Sequence, residues 1–438
     1  MRRKVLRDLA RACALLAAVA VAAVACGGDD SEPAAGEPAD AAASDEPIKV
    51  GHLTYHTGPF ADVGPFFDGA VEFGIDVINE DPPLGRELES AHQDLGTVGE
   101  AQAARRLIEG ENVNVLLNPA HEYQSYRDFM LGYLEDNNAP LMPSVHGGAI
   151  EREIGGVSEE PLFRGSPMDS AQAVAAVLQA QEEGAETVAI LATEIAGSQL
   201  QKEAAVCAAE SVGLEVVTTL DVQPELASYR SEVSRIGSAD PDALLMFSQA
   251  EDGGTIVKQA AEAGLSLLTI GTTEWLQNAF PETATTSALE QHEKVLIAGF
   301  TYVDGPAWEF FEPRWTESEY AEFADAQNSY AMQYYDTLVL TALAIEAAGS
   351  LDADAWTEAM RDVAMGPGEK VYTYQEGIDA LRAGEDIDYS GVTGEMDYTE
   401  TGVVSGSYGM FEWESVEDLE QVDVLEAESI LELDTECA

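Results

Sequence analysis

The sequence predicts an α/β protein of two lobes, each built on a parallel β-sheet covered by helices. Three observations point there. From Ile48 onward, short apolar runs alternate with longer segments of helical period, the pattern of βαβ units. The alternation runs through two consecutive series, with a break at Phe163-Arg164. Hydrophobic residues make up 46% of the 438, enough for a core despite a formal net charge of −60, so global disorder is excluded.

The first series opens with a strand over Ile48–Leu53 and a helix over Phe66–Asn79, where Ala70, Phe73 and Val77 share one face. Glu87–Gln93 reads as a weaker strand, Ala101–Glu109 as a helix and Val113–Leu117 as a strand. Tyr126–Asp136 follows as a helix and Pro140–Ser144 as a strand. In the second series, helices over Ala171–Glu183, Leu200–Val212, Tyr229–Ile236 and Thr255–Ala263 alternate with strands over Thr187–Leu191, Glu215–Leu220, Ala243–Phe247 and Leu267–Ile270. A further strand, Val295–Phe300, leads into aromatic-rich sequence. Tyr330–Ala348 has the strongest helical stripe in the chain, and 351–364 forms another helix. The tail turns β-like at Tyr408–Trp413 and Val422–Leu425.

The chain carries 81 Asp+Glu against 21 Lys+Arg. That balance excludes a grip on nucleic acid, which needs Lys and Arg on phosphates, and general attraction to an anionic membrane. It also strains a compact fold by self-repulsion, which is screened over about 10 Å at 0.1 M salt and about 3 Å at 1 M. Two readings stand: a protein built for salty surroundings, or an acidic secreted protein with no special need of salt.

The first residues change the compartment. Arg2, Arg3, Lys4, Arg7 and Arg11 precede an apolar run from Ala14 to Val24, too short to span a bilayer comfortably. A basic start before a short apolar stretch reads as a signal peptide over 1–25. Ala23-Val24-Ala25-Cys26-Gly27 resembles a bacterial lipoprotein box, with Cys26 lipidated, although Ala23 stands where Leu is usual; simple secretion is the alternative. Residues 26–47 then form a tether without a large apolar side chain, unable to repay the entropy of ordering. The leader holds five of the basic residues and one acid, so its removal takes the net charge to −64.

Cys207 and Cys437 remain as a pair in an oxidising compartment, either bonded to each other or as two free thiols. No phosphate-binding loop, Gly-x-Ser-x-Gly elbow or His-Glu-x-x-His pair is present, so no enzyme is expected. No cysteine–histidine cluster has zinc spacing, and no metal or cofactor is expected.

In open α/β sheets ligands bind beyond the carboxyl ends of the strands. That singles out the loops Tyr55–Gly64, Asn118–Tyr123, Val145–Gly148, Glu194–Ser198, Gln249–Asp252 and Thr272–Trp275.

Ile48-Lys49-Val50-Gly51-His52-Leu53, then Thr57-Gly58-Pro59, Gly64, Asp68-Gly69-Ala70 and Ile78-Asn79, resembles the opening of the Leu/Ile/Val-binding type of receptor. Those are type I periplasmic binding proteins that feed ABC importers. The resemblance continues in order through Pro140-Leu141-Met142-Pro143-Ser144, Phe163-Arg164-Gly165-Ser166-Pro167-Met168-Asp169 and Lys258-Gln259-Ala260 with Ala263-Gly264-Leu265. It reaches Tyr334-Tyr335-Asp336, Ala347-Ala348-Gly349-Ser350 and Ile387-Asp388-Tyr389-Ser390-Gly391-Val392-Thr393-Gly394 with Asp397, covering nearly all of 48–413. It implies two Rossmann-like lobes joined by three hinge crossovers, near 165, 299 and 395, with a ligand cleft between the lobes. The first lobe would comprise 48–165 and 299–395, and the second 166–298 and 396–438 with the tail. The function implied is a lipid-anchored, extracytoplasmic, monomeric receptor that captures a small polar molecule by hinge closure. It would deliver that ligand to an ABC permease and its ATPase; a surface sensor coupled to a signalling partner is the alternative.

Carried over by position, the resemblance places His56, Thr57, Glu122, Tyr123, Ser144, His146, Gly147 and Gly148 on first-lobe ligand loops. Ser198, Gln249, Glu274 and Trp275 fall on second-lobe loops. In the family an amino acid's carboxylate is held by hydroxyls and backbone N–H groups of the first lobe, and its ammonium by an acid of the second. Here one usual hydroxyl position falls on or beside Glu122 and the other on Gly147 or Gly148. The acid falls at Thr273 or Glu274, and Trp275 would supply a stacking wall.

Overall fold

A computed structural model describes residues 46–57, 61, 64–119, 122–136, 138–145, 160–399, 402–416 and 418–437. The leader, Cys26 and most of the tether lie outside the described residues, as do His146, Gly147 and Gly148. Among the described residues, no helix is long and apolar enough to cross a membrane.

The first sheet is parallel. Strand β1 (Ile48–Thr54) lies between β2 (Leu88–Asp94) and β3 (Val115–Leu117). A bridge from Val115 to Leu141 extends it towards β4 (Met142–Ser144), which pairs in parallel with β5 (Leu162–Arg164). All but one residue of β1 is buried, as expected of a strand covered on both faces. On one face lies the helix Gly64–Ile78, which packs against the long helix Ser329–Ala348. That long helix is buried at every position from Ser329 to Ile345 except Tyr330, because it is sandwiched inside the lobe. Asn328 caps its start by accepting from the Tyr330 and Ala331 N–H groups, and Gly349 ends it at a left-handed φ of 60°.

The second sheet takes β6 (Thr187–Thr193), β7 (Glu215–Val222), β8 (Ala243–Phe247), β9 (Leu268–Thr272) and β10 (Lys294–Phe300), all parallel. A small sheet of β11 (Glu369–Val371), β12 (Ile387–Gly391) and β13 (Gly394–Glu395) flanks the first half. The chain then returns as β14 (Tyr408–Ser415), antiparallel to β10, and β15 (Asp418–Leu425). The large sheet runs β15-β14-β10-β9-β8-β6-β7.

The cores follow the sheets. Residues between 48 and 163 share a buried cluster with residues between 307 and 404, and a smaller cluster from 53 to 162 covers the other face of the first sheet. Residues between 171 and 300 pack with residues from 408 onward on both faces of the large sheet. The protein is therefore a two-lobed α/β structure. The chain passes between the cores at 164–170, at 301–306 and at 405–407.

Among the described residues, three helices of ten or more residues were not read from the sequence. Pro306–Glu317 buries Ala307, Phe311 and Trp315. Tyr374–Ala383 is capped by Thr373 and stopped by Gly384, and Ala427–Cys437 buries Ile430 and Asp434. The expected helix over Ala101–Glu109 is α-helical only to Arg105 and continues as a π turn, Arg106–Glu111. Cys207 and Cys437 are bonded, tying the terminal helix to the helix Ala196–Val212.

Candidate functional site

The loop after β1 is held by the end of β2. Asp94 accepts from the backbone N–H groups of His56 (3.0 Å), Thr57 (3.2 Å) and Gly96 (3.0 Å), from Thr57 Oγ1 (2.8 Å) and from the Thr97 hydroxyl. Partial burial would raise the carboxyl's pKa, but these donors outweigh it and hold it well below the usual range. Two glycines let the backbones close up. A Cβ on Gly64 would sit 1.6 Å from the Tyr55 carbonyl oxygen, and one on Gly96 would sit 2.0 Å from that of Thr57. Both His56 and Thr57 are exposed on this loop.

The other first-lobe residues are engaged within the lobe. Glu122 is exposed, and its Oε2 accepts from the Glu100 N–H (3.2 Å) while Glu100 Oε2 accepts from the Glu122 N–H (3.0 Å). It thus serves as a partner to a helix start. Tyr123 is buried in the core and donates from Oη to Glu160 at 3.0 Å. Ser144 is buried at the end of β4, with Oγ donating to the Pro119 carbonyl at 2.9 Å.

In the second lobe, Ser198 is buried in the first turn of its helix and accepts from Thr193 Oγ1 at 2.9 Å. Gln249 stands half-buried at the start of the helix Ala250–Glu262 without capping it. Trp275 has no exposed surface. It stacks on Phe280 at 4.3 Å, and its Nε1 donates to the Ser248 carbonyl at 3.2 Å. The expected stacking wall is therefore a core residue: its faces are already used inside the lobe. Glu274, one residue earlier, is half-buried and accepts from Thr272 Oγ1 at 2.6 Å. Burial pushes its pKa up, the Thr272 hydrogen bond lowers it, and nearby Asp169 raises it further.

Other groups converge on Glu274 that the sequence reading did not single out. Tyr330, the one position of the long helix's first four turns that is not fully buried, comes from the first lobe. Burial raises its hydroxyl pKa, the charges of Glu274 and Asp169 add to that, and Arg164 opposes it. Arg164, buried at the first crossing, donates from Nη2 to Asp169 at 2.9 Å and from Nε to the Ser166 carbonyl at 3.1 Å. Tyr55 also lies within electrostatic reach of Tyr330. Two acids, one arginine and a second tyrosine thus lie within electrostatic reach of Tyr330. The sequence offered one signal: Tyr330 begins the strongest helix, and Asp169 closes the motif at the first crossing.

A second group of ionisable residues lies at the ends of β1 and β2. His52, Asp68 and His92 bring three ligating atoms within 4.8 Å of one another. Burial lowers the His52 pKa. Burial would lower that of His92 as well, but Asp68 and Glu72 outweigh it and push it to about 9.

The sequence profile of the periplasmic binding protein family matches residues 47–414. No curated protein sequence matches the chain. Among solved structures, the chain resembles a branched-chain amino acid transporter substrate binding protein, LivJ, from Streptococcus pneumoniae, crystallised with isoleucine. The TM-score is 0.66 at 17% identity, covering 87% of this chain and 99% of that one. A leucine binding protein, LivK, from Thermotoga maritima gives 0.64 at 16%, covering 86% and 99%. A solute binding protein of an ABC transporter from R. palustris, in complex with 4-hydroxybenzoate, gives 0.65 at 16%, covering 87% and 97%. With the profile matched from β1 to β14 and two α/β lobes exchanging the chain three times, this protein belongs to the periplasmic binding protein family and has its type I fold.

Proposed function

We propose that this chain is the ligand-capturing component of an ABC importer, closing its lobes on a small, amino-acid-like molecule that carries a cationic amine. One observation carries the reading: Glu274 is half-buried within electrostatic reach of Asp169 and Tyr330, and among the described residues no salt bridge reaches it. An acid so placed is strained by desolvation until a cation joins it. A ligand ammonium supplies that charge. The absence of catalytic motifs supports a binding protein rather than an enzyme. Cys26 after Ala-Val-Ala supports a lipid anchor outside the cytoplasm, and a charge of −60 supports salty surroundings. The monomer would hand its ligand to a permease driven by an ATPase.

A panel of amino acids, amides and hydroxybenzoates, read by thermal unfolding, tests this. A true ligand at a hundred times its Kd stabilises by about 2.7 kcal/mol. Amine-bearing ligands are expected to raise the Tm and to lose the effect in Glu274→Gln. Their affinity is expected to fall on acidification through the raised Glu274 pKa, because the neutral acid cannot pair with an ammonium. Shifts from hydroxybenzoates alone would remove the amine from the reading; no shift from any of them would remove ligand capture of this class.

A further inference from the structure

Half of the chain's six histidines gather around one aspartate at the edge of the first lobe. Register brings the first two together: β1 and β2 pair in parallel with His52 opposite His92. Asp68, in the first turns of the helix Gly64–Ile78, adds a carboxylate. Asp68 Oδ1 lies 3.1 Å from His52 Nδ1 and 3.1 Å from His92 Nδ1, and the two Nδ1 atoms are 3.3 Å apart. Three donors each about 2.0–2.1 Å from one zinc-sized ion stand about 3.3 Å from one another in tetrahedral geometry. We propose that His52, Asp68 and His92 form a binding site for a divalent transition-metal ion of the zinc class.

The surroundings of the three ligands support this. His92 Nε2 lies 2.9 Å from Glu72 Oε1, and that carboxylate also accepts from the Ser90 hydroxyl. A carboxylate only accepts, so Nε2 carries the proton there and a neutral His92 presents the Nδ1 lone pair to the cluster. His52 Nε2 lies 3.3 Å from Tyr334 Oη, which accepts from Asn118 Nδ2 at 2.7 Å. Each imidazole thus has its outer nitrogen tied to a second residue and its inner nitrogen turned to Asp68, the arrangement that orients metal-binding histidines. Asp68 Oδ1 is buried and takes no hydrogen bond of acceptable geometry, although both nitrogens are close. With His92 Nδ1 deprotonated, three electron-pair donors face one point around an oxygen that takes no hydrogen bond, and a metal ion takes the place of the proton that otherwise sits between them. Side-chain exposure rises from 0% at His52 to 20% at Asp68 and 26% at His92, so an ion enters from the His92 side. His56 adds a further imidazole there, its Nε2 2.9 Å from Asp68 Oδ2, on the loop assigned to the ligand. A nitrogen-rich set favours zinc-class ions over the calcium or magnesium that carboxylates alone would draw. The site stands independently of the amine reading, since Glu274 takes no part in it.

The test is a Co²⁺ titration of the chelator-stripped, full-length protein, in molar salt with excess Mg²⁺ to silence surface carboxylates. Saturation at one equivalent is expected, with the visible absorption of nitrogen-ligated Co²⁺, and with displacement by Zn²⁺. Asp68→Asn and His92→Gln should each abolish saturable binding, and Glu72→Gln should weaken it about 10–100-fold. If either ligand variant fails to fold, imidazole NMR of the unaltered chain decides. Zn²⁺ must shift His52 and His92 and leave His292, whose Nε2 is 2.9 Å from the Val257 carbonyl, unmoved. No saturable binding, unchanged affinity in a folded His92→Gln, or shifts that spare His52 and His92 would each overturn the site. The cluster would then be held by a proton on His92 Nδ1.

Discussion

The carboxyl ends of β1 and β2 and those of β8 and β9 are built from different material. At the first, polar side chains do the holding: Asp94 gathers three backbone N–H groups and two hydroxyls, and His52, Asp68, His92 and Glu72 face one another. At the second, apolar packing does it. Trp275 fills the space over Gly253 and Gly271, where an added Cβ would meet its ring at 2.4 and 2.3 Å, and it stacks on Phe280. The difference teaches that the first lobe's edge is held by groups that titrate, while the second lobe's is held by packing that a cavity would weaken.

Replacing Trp275 by Ala attacks the apolar edge directly. Loss of a fully buried tryptophan costs about 3–5 kcal/mol, so a large fall in the denaturant midpoint is expected, with Glu274 losing its base and the amine ligand its affinity. A drop below about 1 kcal/mol would mean that the second lobe's edge is not held by packing. Next in size is Cys207→Ser. The bond closes a loop across 230 residues, and its removal should cost about 3 kcal/mol and expose amides of the terminal helix to hydrogen exchange. Because the bond lies away from the strand ends, ligand affinity should hold; a matching loss of affinity would break the separation drawn between body and edge.

The smallest effect belongs to the polar edge. Asp94→Asn removes a charged acceptor from several donors and should cost about 1 kcal/mol, since the group is partly solvated. The readout is faster exchange of the His56 and Thr57 amides. The unaltered chain should show the same loosening in acid. A carboxyl whose folded pKa is depressed adds stability above its unfolded pKa, about 3.9, and loses it as the pH falls towards the folded value. Protection factors at His56 and Thr57, corrected for the intrinsic pH dependence of exchange, that stay flat from neutral pH to about pH 2 would show that Asp94 does not hold the loop.

Much of the fold was legible along the chain. The strand over Ala243–Phe247 and the long helix ending at Ala348 stand where periodicity put them, because an unbroken apolar run and an all-round apolar helix are local patterns. Pro306–Glu317 was not read: Ala307, Phe311 and Trp315 are spaced four apart, but Pro313 and three acids blur the stripe. The site was less so. The resemblance offered Thr273 or Glu274 as the acid, which stands as a proposal, whereas Trp275, next to it, is fully buried and forms no wall: alternate residues of a turn point opposite ways. Tyr330 and Asp169 are 161 residues apart in the chain and come within electrostatic reach only in the fold.

The sequence by itself determined the class of fold, the order of its elements, its acidity and its want of catalytic motifs. Each follows from composition or from periods of a few residues, which survive in any conformation of the chain. Tertiary structure alone decided which charged groups meet. His52 and His92 are separated by 40 residues and by no recognisable ligand spacing, yet parallel register sets them opposite each other and the helix of Asp68 closes over them. Such contacts are fixed by strand pairing and helix packing over long separations, a property of the closed chain that no window of sequence contains.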